Sequence, residues 1–361
     1  MKIGVIKEAE DNRVAIIPSS VKKLNSLGFE CIVEQGAGSN AFFPDLAFKA
    51  EGASISDRTD VIKHSDILVS IHPLDLASYK LCKKDVLLVS MFAPFNNKDI
   101  AKELSELGLK ALSLDMIPRS TLAQSMDVLS SMASVAGYKS ILEASNILPR
   151  YIPMMITAAG SIKPARILIL GAGVAGLQAI ATAKRLGAIV EAFDTRSAAK
   201  EEVESLGAKF VEVEGAVEDK GAGGYGVEQS EDFIKRQRAE VQNRAMNADI
   251  IVTTAQVRGR KAPILVPKET VEKMKQGSVI VDLASSTGGN CELSKDKELI
   301  NHNGVWILGN SNLAGKLPQD SSTLFSNNIF NLLKHIYAAE DKKLNPEDPI
   351  VQGALITMKN D

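Results

Sequence analysis

Cysteine is scarce in this sequence. Only Cys31, Cys82 and Cys291 occur in 361 residues, and no two of them form a C-x-x-C pair. This argues against a cysteine-built zinc site and a disulfide framework, and it fits a reducing compartment. The start MKIGVIKEAEDNRVAIIP has charges where a secretory signal needs an apolar run, so we expect a cytoplasmic protein that is not exported.

Apolar runs of membrane length are also missing. The stretch 167–183 is apolar apart from Gln178 and Thr182, and it is shorter than the roughly 20 residues that a membrane-spanning helix needs. Its glycines and flanking charges are typical of a buried strand that passes into a helix. We therefore expect no transmembrane span.

The sequence has no excess of charge of either sign. It contains 42 Lys and Arg against 44 Asp and Glu, a formal net charge of −2, with 45% hydrophobic residues. This balance argues against a nucleic-acid surface and against disorder. The chain is longer than the size at which a single core stops growing, so we expect a globular enzyme with two domains.

Short apolar runs alternate with amphipathic segments in both halves of the chain. Such alternation predicts parallel sheets covered by helices on both faces. Leu-Gly pairs end four of the helical segments and predict C-caps at Gly28, Gly108, Gly187 and Gly207. The fold class that we predict is α/β, with two doubly wound, Rossmann-like domains and a cleft between them.

The domain boundaries follow from breaks in this pattern. A segment poor in breakers, 121–148, predicts a helix between the domains, and an amphipathic segment, 323–339, predicts a C-terminal helix that returns to the first domain. We place the first domain at 1–130 plus 320–361 and the second at 131–319.

A glycine-rich turn joins a strand to a helix in the second half. The strand RILIL runs into Gly171-Ala-Gly173-Val-Ala-Gly176 and then into LQAIATAKRL. Gly171 permits a tight turn, Gly173 lets the backbone approach a pyrophosphate at the helix N-terminus, and Gly176 lets the helix pack on the strand. The order of these parts predicts a dinucleotide site; a glycine-rich turn without a ligand is the alternative.

A carboxylate at the end of the next strand indicates which of the two nicotinamide dinucleotides the site favours. Asp194 ends VEAFD, about 20 residues after the glycines, where it can accept hydrogen bonds from the adenosine ribose. It would repel the 2′-phosphate of NADP, which favours NAD(H). Arg196 could bind that phosphate, so the sequence leaves NADP open.

Polar residues also interrupt the segment between the domains. This group runs from Arg119 to Ser130 as RSTLAQSMDVLS and includes Gln124 and Asp127. Asp127 and Ser130 can cap or solvate a helix. Beside a cleft, the same residues can orient a nicotinamide ring, and the residues alone leave both interpretations open.

One insertion, 214–230, breaks the regular alternation with EGAVEDKGAGGYGVEQS. A loop this long inside a compact domain is usually a lid or disordered. We expect an exposed, mobile loop with Tyr225 near its tip.

Several segments together resemble one family. They are IGVIKEAEDNRVAIIP, PRSTLAQSMD, GAGVAGLQAIATAKRLGAIVEAFDTR, GAGGYG and VDLASSTGGNCE. Over nearly its whole length the chain is similar to the NAD(H)-binding domain I, or α1 subunit, of Re/Si-specific, proton-translocating NAD(P)+ transhydrogenase, in the alanine dehydrogenase and transhydrogenase superfamily. The resemblance implies NAD(H) on this chain, NADP(H) on a partner domain, and direct hydride transfer between the two nicotinamides, without a metal.

The resemblance also implies roles for individual residues. Four resemble the loop that holds the nicotinamide near the hydride-transfer face: Arg119, Gln124, Asp127 and Ser130. The remainder resemble the contacts of the adenosine, the pyrophosphate and the mobile loop: Gly171, Gly173, Val174, Gly176, Asp194, Thr195, Arg196, Tyr225, Gly226, Gln237 and Gln256.

Alanine dehydrogenase is the alternative inside the superfamily. It needs a positive substrate anchor and a general acid or base. Arg13 resembles its substrate arginine, but residues 70–73 (SIHP) and 91–94 (MFAP) stand where it has its lysine and histidine, and Ser286 stands where it has its aspartate. We therefore expect no amino-acid dehydrogenation. His72 as a substitute anchor is weighed against a structural role, which is commoner for a lone histidine.

The resemblance further implies partners and a location. These are the membrane and NADP-binding transhydrogenase subunits, a homodimer, and a peripheral position on the inner face of a bacterial cytoplasmic membrane. We expect no nucleic-acid partner. The polar, proline-containing tail, 342–361, predicts a mobile end that meets the membrane subunit. A non-catalytic NAD-sensing module is a third interpretation of the chain.

Overall fold

The computed structural model describes residues 1–212, 231–338 and 343–357. The chain divides into two units, Met1–Met132 with Ala314–Asp361, and Ala133–Leu313. In the described ranges, no helix combines the length and the apolar character that crossing a membrane requires.

The first unit contains a six-stranded parallel sheet. Its strands are β1 (Lys2–Val5), β2 (Glu30–Glu34), β3 (Ser54–Ser56), β4 (Ile67–Val69), β5 (Leu87–Ser90) and β6 (Lys110–Ser113). Its connecting helices are α1 (Pro18–Ser26), α2 (Asp45–Ala50), α3 (Arg58–His64), α4 (Leu76–Tyr79) and α5 (Ile100–Glu106). The strand order β3-β2-β1-β4-β5-β6 reverses between β1 and β4, as in doubly wound folds. Every residue of β4 and β5 is buried, as expected for strands covered on both faces.

The second unit contains a seven-stranded sheet and a separate hairpin. Helix α6 (Val128–Ile147) leads from the first unit into this one, and β7 (Met155–Thr157) and β8 (Gly160–Ile162) form the hairpin. The sheet strands are β9 (Arg166–Leu170), β10 (Ile189–Phe193), β11 (Lys209–Phe210), β12 (Ile250–Thr253), β13 (Val279–Asp282), β14 (Glu298–His302) and β15 (Val305–Gly309). The helices are α7 (Val174–Arg185), α8 (Ala199–Ser205), α9 (Glu231–Asn247) and α10 (Lys268–Val271).

The order of this second sheet is β11-β10-β9-β12-β13-β15-β14. It reverses between β9 and β12, and all its pairs are parallel except β14 with β15. In such sheets ligands bind beyond the carboxyl ends of the strands where the order reverses. The glycine-rich turn follows β9 and therefore lies at this position.

The C-terminal helices belong to the first unit. They are α11 (Pro318–Ile336) and α12 (Pro349–Ala354). The hydroxyls of Ser322 and Ser326 on α11 accept hydrogen bonds from the Val14 and Ile17 amides, at 2.9 and 3.0 Å. Residues after α12 pair with β6, where the Ile356 amide donates to the Ala111 carbonyl at 2.8 Å.

The predicted α/β class with two doubly wound sheets is confirmed, and the sheets are parallel apart from the β14–β15 pair. All four predicted C-cap glycines have a left-handed φ, from +70° to +84°. The predicted mobile tail is wrong for residues 349–357, because the buried side chains of Ile350 and Val351 fix α12 in the first unit. The hairpin β7–β8 and strand β14 were not predicted.

Candidate functional site

Two glycines of the glycine-rich turn have close neighbours among the described residues, and the third does not. Gly171 has φ +102°, and a Cβ there would run into the Thr254 hydroxyl. A Cβ on Gly176 would run into the Gly171 carbonyl oxygen. At Gly173, by contrast, no heavy atom of the described residues, apart from its own chain neighbours, lies within 4 Å of the position that a Cβ would take. Two of the glycines are therefore required by close neighbours, whereas the third has open space beside it within the described part of the chain.

Helix α7 begins at the third glycine. Gly173 precedes its first residue, and the first hydrogen bond of the helix runs from the Leu177 amide to the Gly173 carbonyl, at 2.8 Å. The amides of Val174, Ala175 and Gly176 consequently have no carbonyl partner inside the helix. These amides and the positive end of the helix dipole are groups that can bind an anion such as a pyrophosphate.

Asp194 lies across the turn, at the end of β10. Its Oδ2 accepts the Ala172 amide at 2.7 Å and its Oδ1 accepts the Arg196 amide at 2.8 Å. Arg196 adds Nε and Nη2, each 3.0 Å from one carboxylate oxygen. Burial of Asp194 alone would raise its pKa, but the hydrogen bonds from Arg196 and from the Ala172 amide outweigh burial and hold the pKa below its usual value.

The carboxylate of Asp194 is thus bound to protein donors in this structure. Its side chain is 9% exposed, whereas that of Arg196 is 41% exposed. A ribose hydroxyl that approached Asp194 would compete with the guanidinium group, which can move into solvent. Thr195, between them, is exposed.

The loops after β12 and β13 are tied to the same turn. The Thr254 hydroxyl donates to the Gly171 carbonyl at 3.1 Å, and the Gln256 amide Nε2 donates to the Leu283 carbonyl at 2.8 Å. Asn290 bridges the two loops, since its side chain bonds both the amide and the carbonyl of Ala255, each at 2.9 Å. Buried Asp282 in turn accepts the Asn290 amide at 2.8 Å.

These supporting residues were not predicted from the sequence. Thr254, Asp282 and Asn290 are not adjacent to the glycines in the sequence, and single polar residues at strand ends are common. The position of Asp282 as the last residue of a fully buried strand, VIVD, is the signal that could have singled it out.

The polar segment of the first unit begins as a loop and continues into helix α6. A 3₁₀-helix spans Gln124–Met126, and the Ser125 carbonyl accepts the Asn328 amide group of α11 at 2.9 Å. The Asp127 carboxylate accepts the Ser130 amide at 3.0 Å and the Ser130 hydroxyl at 2.6 Å. In this structure Asp127 and Ser130 therefore cap α6, while Arg119 and Gln124 are exposed.

Not every predicted site residue can be placed. Tyr225 and Gly226, with the whole predicted loop 214–230, lie outside the described residues. Gln237 is half-buried on α9, a helix that packs against β9 and α10.

Arg13, which is buried, and His72, whose side chain is 45% exposed, both contact the buried carboxylate of Asp11 in the first unit. Arg13 is 2% exposed, with Nε 2.9 Å from Asp11 Oδ1 and Nη2 2.5 Å from Asp11 Oδ2. His72 Nε2 lies 2.9 Å from the same Oδ2. Burial of Asp11 opposes its ionisation, but the hydrogen bonds from Arg13 and His72 outweigh burial and lower its pKa. Arg13 thus serves an internal ion pair.

Two family models match this chain. The "Alanine dehydrogenase/PNT, N-terminal domain" matches residues 4–136, and the "Alanine dehydrogenase/PNT, C-terminal domain" matches residues 140–361. The chain belongs to the alanine dehydrogenase/PNT family. Among the described residues, no group of His, Cys, Asp and Glu is arranged to hold a metal ion.

Within this family the chain is more similar to transhydrogenase subunits than to alanine dehydrogenases. It is 42% identical over 369 residues to an NAD(P) transhydrogenase subunit alpha protein of Rhodospirillum rubrum, covering 99% of this chain and 96% of that one. It is 27% identical to alanine dehydrogenase of Staphylococcus epidermidis over 339 residues, covering 91% and 85%. A transhydrogenase structure from Sinorhizobium meliloti matches with a TM-score of 0.86 at 36% identity, covering 98% and 96%. The resemblance inferred from the motifs is confirmed.

Proposed function

We propose that this chain is the NAD(H)-binding subunit of a proton-translocating NAD(P)+ transhydrogenase. The observation that carries the proposal is the turn after β9, where the space beside Gly173 and the amides of α7 lie next to the Asp194 carboxylate. The transhydrogenase relative at 42% identity supports the same function.

The residues of the chain bind and orient the dinucleotide. The turn and the first amides of α7 hold the pyrophosphate, and Asp194 discriminates between a ribose hydroxyl and a 2′-phosphate. The exposed polar groups of Arg119 and Gln124 bind the nicotinamide end of the dinucleotide. Asp127 and Ser130 hold the segment that carries them. Bound NADH supplies the hydride, which passes directly to NADP+ on a partner domain. The contribution of this chain to the rate is proximity and orientation.

Direct transfer between nicotinamides moves a hydride and no proton, so no side chain here needs to act as a general acid or base. An amino-acid dehydrogenase does need such groups. The bidentate pairing of Arg13 with Asp11 disfavours that activity, because the guanidinium is committed inside the protein and only 2% exposed. We assign proton translocation to membrane subunits, and we infer that this chain binds them at the inner face of the membrane.

The hairpin of the second unit supports the proposed homodimer. Within the described residues β7 and β8 pair only with each other, and a two-stranded hairpin is marginally stable alone. Ile156 is 76% exposed and Met154 59% exposed. A second copy of the chain would cover these apolar side chains.

One assay tests the proposed function. The purified chain is mixed with an NADP-binding transhydrogenase domain, and NADH-dependent reduction of an NADP analogue is followed. We expect transfer only when both proteins are present. Binding of NADH without any transfer would favour an NAD-sensing module, and NADH oxidation driven by a keto acid and ammonia would favour a dehydrogenase.

A further inference from the structure

Three cations lie close together in the loop that follows β12. Arg258, Arg260 and Lys261 occur within four residues, and all three are exposed. We call residues 258–261 the basic loop. The chain as a whole has a net charge of −2, so this concentration of one sign is a local property.

The basic loop is anchored at both ends to the loop after β13. Before it, Gln256 Nε2 donates to the Leu283 carbonyl at 2.8 Å, and after it the Ala262 amide donates to the Thr287 carbonyl at 2.9 Å. The methylene chain of Lys261 lies across Gly288, where a Cβ would be 2.8 Å from Lys261 Cε. Anchoring of this kind holds the three cations near one another and opposes their separation.

Acidic neighbours do not explain this arrangement of the three cations. Within ranges 1–212, 231–338 and 343–357, none of the three takes part in an ion pair. Exposed apolar side chains flank them, since Val257 is 50% exposed and Ile264 44% exposed. Lysine and arginine more commonly form a charged surface that only contacts water. Such a surface needs neither the hydrogen bonds that anchor this loop nor the exposed apolar side chains beside it.

The basic loop also follows the carboxyl ends of the strands, at the same end of the sheet as the dinucleotide turn. Strands β9 and β12 are neighbours in parallel register, with Thr253 opposite Leu170, so their following loops leave the sheet at the same edge. The hydrogen bond from Thr254 to the Gly171 carbonyl joins these loops directly. A partner that delivers a second nicotinamide to this edge must come close, because hydride transfer requires the reacting atoms about 3 to 3.5 Å apart.

We propose that the basic loop is a docking contact for the NADP(H)-carrying partner, and that it binds carboxylates on the protein surface of that partner. The inference rests on the proposed function. Guanidinium groups pair with carboxylates through two parallel hydrogen bonds, so Arg258 and Arg260 supply direction as well as charge. Complementary charge at such a rim acts mainly on the rate of association.

The test compares two triple variants with the same change in charge. One is Arg258→Gln with Arg260→Gln and Lys261→Gln; the control is Arg185→Gln with Lys209→Gln and Lys273→Gln, exposed cations of the second unit that lie away from the basic loop in sequence. Association with the NADP+-loaded partner domain is followed by stopped flow at rising salt. We expect the loop variant to associate about tenfold more slowly at low salt, with the difference closing at high salt.

Three further measurements separate the other outcomes. Arg258→Lys with Arg260→Lys, which keeps the charge, should retain most of the parent rate. Equal slowing in both triple variants, or slowing in neither, overturns the docking contact. Weaker NADH binding by the loop variant overturns it as well, since the loop would then serve the chain's own dinucleotide. An effect that disappears with nucleotide-free partner also overturns it, because phosphate, and not protein carboxylates, would then be the target.

Failure of the proposed function is distinguishable from failure of the docking contact. Association is measured by binding, so the docking contact is tested even if no hydride transfer is detected. Absence of transfer by the parent at saturating partner counts against the proposed function alone. A parent that does not bind the partner overturns both.

Discussion

Arg196 holds Asp194 with two side-chain nitrogens, each 3.0 Å from one oxygen of the carboxylate. The backbone amides of Ala172 and Arg196 add two further hydrogen bonds to the same group. The residue that we propose to discriminate between NAD and NADP is therefore already oriented before a ribose arrives. Arg196, being partly exposed, is the member of the pair that can give way.

Asp194→Ala should weaken NADH binding, because hydrogen bonds from the ribose to a charged carboxylate are lost, each worth about 1.5 to 3 kcal/mol. NADPH binding should fall less, since its 2′-phosphate gains from the missing negative charge. Calorimetry with both nucleotides measures the two effects. Unchanged NADH affinity in a folded variant would remove Asp194 from the site.

The Asp194–Arg196 pair also predicts a dependence of stability on pH. The folded-state pKa of Asp194 lies below its usual 3.8, so its stabilising contribution is complete above that value and disappears as the pH falls through the folded pKa. The free energy of unfolding should thus differ between parent and Arg196→Gln by a constant amount at neutral pH and converge in strong acid. Arg185→Gln, an exposed arginine of the same unit, should show no such convergence in urea titrations.

The dinucleotide turn offers a matched pair of glycine variants. Gly173→Ala places a methyl group where the described residues leave open space, at an ordinary φ of −77°, so folding should be preserved while the approach of a pyrophosphate is obstructed. Gly176→Ala forces a methyl group against the Gly171 carbonyl and should lower stability by about 1 to 3 kcal/mol. Thermal unfolding and NADH titration should separate the two. Equal NADH affinity in Gly173→Ala and parent would exclude the turn as the pyrophosphate site.

The sequence predicted those parts of the fold that depend on local patterns. Gly171, Gly176 and Asp194 were recognised because a tight turn, a close helix and a strand-end acid each require one residue type at one spacing. Asn290, which bonds Ala255 of a different loop, could not be recognised, because its partner is 35 residues away. Helix α12 was missed for a similar reason. Its buried residues Ile350 and Val351 belong to the first unit, whose strands lie more than 200 residues earlier in the sequence, and the short polar segments around them are typical of a tail.

A charged substitution in the exposed hairpin β7–β8 should break the proposed dimer. Ile156→Lys places a charge on the side chain that is 76% exposed in β7, where burial in a partner would make it costly. We expect sedimentation to show a shift from dimer to monomer. Leu299→Lys, at a 49% exposed position on the edge strand β14, is the control. A dimer that persists in Ile156→Lys would place the interface elsewhere.

A substitution at Gln124 can test whether its exposed side chain orients the nicotinamide or only contacts solvent. It lies in the 3₁₀-helix Gln124–Met126, which α11 holds through Asn328, so its backbone is fixed while its amide remains exposed. If that amide orients the nicotinamide, Gln124→Asn withdraws it by one methylene group and keeps its chemistry. NADH affinity should then stay within a few-fold, while hydride transfer slows about a hundredfold, since a displacement of about 1 Å can cost that much.

If Gln124 only solvates the surface, the same change should alter the free energy of unfolding by no more than about 0.5 kcal/mol and leave transfer untouched. Gln352→Asn, at an exposed glutamine of α12 in the same unit, gives the baseline for such a surface change. Single-turnover transfer at saturating nucleotide and partner decides between the two, because it separates the chemical step from binding. A rate in Gln124→Asn equal to that in Gln352→Asn would leave Asp127 and Ser130 as helix-capping residues only. It would also remove the main reason for placing the segment from Arg119 to Ser130 at the nicotinamide.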